Sequence, residues 1–96
     1  MKKPHDDPYL VVVREQYANL LFLYQKFARK RPVMLFDIQE QRVYAYPYRE
    51  FAADLSTRSQ RSLKKQYQAA SATGNMVVFI RDNVERKLTS YNVAIT

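Results

Sequence analysis

The chain has 96 residues, of which 47% are hydrophobic and 26% charged, with eight tyrosines, five phenylalanines and one glycine; this composition describes one small folded domain and excludes a disordered chain. The absence of cysteine excludes disulfides, thiolate metal sites and cysteine nucleophiles. Sixteen Lys and Arg against nine Asp and Glu give a net charge of +7, which favours acidic or polyanionic partners and also keeps a small protein soluble.

Residues 1–7, MKKPHDD, read as a flexible tail ahead of a single α+β domain over 8–96. Two lysines are followed by His5, Asp6 and Asp7 rather than by an apolar run, so this start is not a secretory signal. No window approaches the roughly 18 apolar residues of a spanning helix. A soluble, cytoplasmic protein with no membrane contact is expected.

Asp7-Pro8 is a helix-start signal, because Asp caps and Pro suits the first helical position. Apolar residues then recur with helical spacing from Leu10 to Ala28, which predicts one long helix. Val11, Ala18 and Phe22 form a second apolar stripe on it, a candidate homodimer interface. Lys26, Arg29, Lys30 and Arg31 close the helix before Pro32. Their position at the negative end of the dipole explains them as capping charges; the alternative is a phosphate-binding patch.

Residues 33–38 (VMLFDI) read as a strand and 43–48 as its hairpin partner. With a loop of even length, Ile38 is expected opposite Val43, Phe36 opposite Ala45 and Met34 opposite Pro47. Tyr44, Tyr46 and Tyr48, at spacing two, then stand in a row on the other, half-open face, bracketed by Arg42 and Arg49. Residues 48–55 are expected to form a helical turn or a bent connector that tucks in Phe51 and Leu55. A second helix follows to Thr73, with Ser56 or Thr57 as its cap, a Thr57–Gln60 capping box, and Gly74 as C-cap. Its apolar face is thin, and its outer face carries Arg58, Arg61, Lys64 and Lys65. Residues 76–81 and 87–95 read as a second hairpin across Asp82-Asn83.

The order is therefore α-β-β-α-β-β, and the expected fold is a four-stranded antiparallel sheet with two helices on one face. The two halves suggest a weak structural repeat, each with a strand carrying Phe (Phe36, Phe79) and a strand carrying Tyr (Tyr46, Tyr91). On the stretches VMLFDIQEQRVYAYPYREF, DLSTRSQRSLKKQY and MVVFIRDN, residues 32–93 resemble small uncharacterised cyanobacterial proteins. The resemblance implies a bacterial cytoplasmic protein and carries over no functional residues.

Chemistry is sparsely signalled. His5 is the sole histidine, so no His-based dyad or metal cluster is available, and one glycine cannot build a phosphate loop. Asp37 and Asp82, beside the hairpins, read as turn or salt-bridge residues. No catalytic residue, metal or cofactor is expected. The expected role is non-catalytic binding of an acidic protein partner by Arg42, Tyr44, Tyr46, Tyr48 and Arg49. The basic helix (Arg58, Arg61, Lys64, Lys65) would steer the encounter. The alternative is single-stranded nucleic acid, RNA above all, stacked on the same tyrosines.

Overall fold

The computed structural model describes residues 7–53 and 55–95. Of the expected tail at 1–7, residues 1–6, with His5, lie outside the described residues, and Asp7 caps α1. Four α-helices and four strands alternate as α1 (Pro8–Glu15), α2 (Tyr17–Lys26), β1 (Pro32–Asp37), β2 (Arg42–Pro47), α3 (Tyr48–Ala53), α4 (Thr57–Thr73), β3 (Met76–Asp82) and β4 (Lys87–Val93). A 3-10 turn, Ala28–Lys30, joins α2 to β1.

The caps follow the local chemistry. Asp7 accepts from the Tyr9 amide at 2.9 Å and Pro8 opens α1. Ser56 accepts from the Ser59 amide at 3.2 Å at the start of α4, so the cap lies one residue ahead of the expected Thr57–Gln60 box. Gln60 instead donates its side chain to the Leu55 carbonyl at 2.9 Å. Gly74 ends α4 at φ 73°, the left-handed conformation that only a residue without Cβ adopts freely. The expected single first helix is in fact two, broken at Gln16 (φ −94°, ψ 7°).

The sheet is α+β but mixed, with order β2-β1-β3-β4. Each hairpin is antiparallel, whereas β1 and β3 are parallel neighbours, Leu35 beside Phe79 and Asp37 beside Arg81. This corrects the wholly antiparallel expectation. A parallel pair needs a long crossover, and α3 and α4 supply it between β2 and β3. The loop of the first hairpin does hold four residues, 38–41, so its parity is as expected. The pairs are displaced by two: Val43 faces Phe36, and Ala45 faces Met34.

The helices do not share a face. On one side, Val13 and Leu20 pack on Met34, Phe36, Met76, Val78 and Ile80. On the other, Leu63 and Ala70 of α4 pack on Val33, Leu35, Val77 and Phe79. The tyrosine face is thus covered, and Tyr44 and Tyr46 are half-buried beside Phe51 rather than half-open. Tyr48 leaves the row altogether and starts α3.

The two α-β-β halves are arranged as a two-fold axis along the strands between β1 and β3 would arrange them. Such an axis makes β1 and β3 parallel, puts β2 and β4 at the edges, and sends each half's helices to opposite faces, as observed. The hairpins repeat in detail. Asp37 and Asp82 each precede a four-residue loop whose last residue, Gln41 or Arg86, has positive φ (53° and 54°). Asp37 accepts from the Glu40 amide, and Asp82 from the Val84 and Glu85 amides. Tyr46 and Tyr91 are equivalent under this relation; Phe36 matches Arg81, not Phe79.

Candidate binding cleft

The 3-10 turn, the β2–α3 junction and α4 meet in a cleft of about 490 Å³. Lys30 and Arg31 come from the turn, and Arg31 adopts the left-handed conformation (φ 47°) that redirects the chain into β1. Pro47, Tyr48 and Arg49 come from the junction, where Pro47 ends the strand. Lys64, Tyr67 and Gln68 come from α4, on one helical face by their spacing of three and four. The rings of Tyr48 and Tyr67 lie 4.4 Å apart, tilted by 39°. The Tyr67 hydroxyl donates to the Arg31 carbonyl at 3.3 Å, tying the helix to the turn. Burial pushes the Tyr67 phenol above its ordinary pKa, so it stays a donor. Four cations and the tilted Tyr48–Tyr67 ring pair line this cleft, with no carboxylate among the described residues that form it.

Of the residues singled out in the sequence, Tyr48, Arg49 and Lys64 meet here. Arg42, Tyr44 and Tyr46 do not. Arg42 stacks over Tyr44 at 5.6 Å, and the Tyr44 hydroxyl donates to Glu40. Tyr46 lies between Tyr44 (5.8 Å) and Phe51 (6.2 Å). Arg58, Arg61 and Lys65 are exposed on α4 without lining the cleft. In the first helical pair, Val11 is half-buried, Ala18 exposed and Phe22 65% exposed. Sequence reasoning missed Tyr67 and Gln68 and read Lys30 and Arg31 as capping charges. The signal for the first two was their helical spacing from Lys64; for the others, only tertiary structure brings them to α4.

The carboxylates form a separate network at the carboxyl ends of β1 and β3. Asp37 is fully buried and accepts from Arg81 Nε at 2.7 Å and the Glu40 amide at 2.9 Å. Those contacts, the amide bond first, hold its carboxyl below the ordinary value despite burial. Asp82 accepts from the Tyr9 hydroxyl at 2.9 Å, Gln39 Nε2 at 3.0 Å and two loop amides, and it too is held low, chiefly by the Glu85 amide. Gln39 in turn accepts from the Asn83 amide at 2.7 Å, so the two hairpin tips are laced together. Among the described residues no three His, Asp or Glu side chains cluster for a metal, and no helix is long and apolar enough to cross a membrane.

No family model, curated protein or solved structure matches the chain. The internal relation between its halves offers a comparison instead. The groove that the approximate two-fold places opposite the cleft is lined by Leu10, Val13, Arg14, Tyr17, Val93 and Ala94, with Asn92. It has one cation where the cleft has four. Both grooves are built from the two halves together, and the charge of the cleft comes from Lys30 and Arg31 of the first half and Arg49 and Lys64 of the second.

Proposed function

We propose that the protein is a non-catalytic binding protein that engages an acidic partner protein through the Lys30–Arg31–Arg49–Lys64 cleft. The observation that carries this reading is the convergence of four cations from three separate elements on one concave site, beside the tilted ring pair of Tyr48 and Tyr67. Like charges brought together without a carboxylate between them repel, and an anionic ligand relieves that repulsion. The rings supply rigid contact area, and Arg and Tyr are the residues that most often anchor protein interfaces. The exposed Arg58, Arg61 and Lys65 add to the field that would steer an acidic partner towards the cleft.

On this reading the partner sits at the end of the sheet rather than on its face. Tyr44 and Tyr46, on which unpaired bases would stack, are half-buried beside α3, which favours the protein partner over the nucleic-acid alternative. A titration of the isotope-labelled protein with a Glu-rich peptide, followed by NMR, tests the reading. Amide and side-chain shifts are expected at Lys30, Arg31, Arg49, Lys64 and Tyr67. Shifts spread over the whole basic surface, with none concentrated at the cleft, would sink it.

A further inference from the structure

A second cavity, of about 290 Å³, opens on the same side of the sheet as the cleft but nearer the carboxyl ends of β1 and β3. Leu35 and Tyr46 form its sheet floor, and Phe51 and Leu55 its helical wall. Leu88 closes it from β4, 44% exposed and directly across the strand pair from Arg81. Its neighbours on that face of β4, Ser90 and Asn92, are polar, so Leu88 is an apolar side chain that the uncovered edge does not call for. Two charges complete the lining, Arg81 and Glu50.

Arg81 is held in a way that suits a ligand. Its Nε is fixed by the fully buried Asp37 at 2.7 Å, which spends one of five N–H donors. The side chain remains 38% exposed, so the guanidinium is both anchored and accessible. The approximate two-fold puts Phe36 at the matching position of the other half, so the fold does not demand an arginine here. The cavity also flanks the parallel β1–β3 pair near its carboxyl ends.

We infer that this cavity binds a small zwitterion with an apolar body, the class to which α-amino acids with apolar side chains belong. The guanidinium of Arg81 takes the carboxylate, its planar fork matching two oxygens. Glu50 takes the ammonium. Phe51, Leu55 and Leu88 hold the apolar body. The volume lies at the lower bound of roughly 300 Å³ for small-ligand sites, which fits one ring or a short branched chain and excludes a nucleotide. The site is independent of the basic cleft.

Calorimetric titration with L-phenylalanine, 3-phenylpropionate and phenethylamine tests the inference. The two analogues lack the ammonium and the carboxylate respectively. L-Phenylalanine is expected to bind, and each analogue to bind at least about tenfold more weakly, because a charged group of the site is left unpaired. Arg81→Lys keeps a cation for Asp37 but loses the fork, and Leu88→Glu sets a competing anion across from Arg81 on an exposed strand. Each is expected to fold and to weaken L-phenylalanine by about tenfold or more. Equal binding of all three probes, or no heat with L-phenylalanine up to its solubility, overturns the inference. So does unchanged binding in a folded Arg81→Lys protein.

Discussion

Asp37 has no solvent exposure, yet it is ionised, because an arginine and a backbone amide converge on it. Removing either side of the pair has unequal consequences. Arg81→Ala strands a buried carboxylate and is expected to cost about 2–3 kcal/mol by urea denaturation, below the full range for buried pairs because Arg81 is partly exposed. Asp37→Asn keeps an acceptor and removes the buried charge, so about 1 kcal/mol is expected. The pH dependence has a definite sign. Asp7, Asp37 and Asp82 are all held below the ordinary value of 3.8 in the folded state. Their ionised forms therefore stabilise the fold at neutral pH, and that contribution is lost as pH falls through the folded-state values. The urea midpoint should be flat from neutral pH to about 5 and fall below about 4, less steeply in Asp37→Asn. A midpoint that rises on acidification would contradict the geometry. The sequence did mark Asp37 and Asp82 as turn and salt-bridge residues, from their places beside the hairpins. It gave no sign that Arg81 reaches back 44 residues to Asp37, since that contact depends on β1 and β3 being neighbours.

The elements themselves were largely readable. Asp7-Pro8, Gly74 and the two apolar hairpins announced where helices and strands begin and end, because caps and turns are local chemistry. The arrangement was misread at one point. VMLF in β1 and MVVFI in β3 are continuous apolar runs, the pattern of strands covered on both faces, whereas RVYAY and KLTSYNV mix polar and apolar residues as edge strands do. Read that way, they indicate a central parallel pair with helices on both sides. The break at Gln16 has no counterpart signal in the sequence. The two-sided core makes a direct prediction. Leu20→Ala on one face and Leu63→Ala on the other should each cost about 2–4 kcal/mol, since both side chains are buried. A loss under about 0.5 kcal/mol for Leu63→Ala would mean that α4 does not cover the sheet. Gly74→Ala meets no neighbour within 4 Å, so its cost should be only that of a positive φ, about 1 kcal/mol.

At the scale of the molecule, the two halves share a fold and differ in what they line it with. Of the two grooves, each built from both halves, one carries four cations and the other a single arginine, and matching strand positions carry Arg81 and Phe36. Charge composition shows an excess of cations but not where they gather, because Lys30 and Arg31 lie more than thirty residues from Lys64 and meet it only through the sheet. The homodimer expected from Val11, Ala18 and Phe22 rests on an apolar ring left 65% exposed. Phe22→Asp should convert a dimer to a monomer in sedimentation, and a wild-type monomer at high concentration would remove that expectation.

We propose that the cleft, and not the net charge alone, selects an acidic protein segment. Fluorescence anisotropy with a labelled Glu-rich peptide and a labelled single-stranded oligonucleotide, run against wild type and Arg49→Glu/Lys64→Glu across a salt series, tests this proposal. Tighter binding of the peptide than of the oligonucleotide is expected, weakening with salt because cations carry it, with a loss of at least about tenfold in the double variant. Tighter binding of the oligonucleotide, with an affinity falling steeply with salt in proportion to phosphate contacts, would contradict it and assign the cleft to nucleic acid.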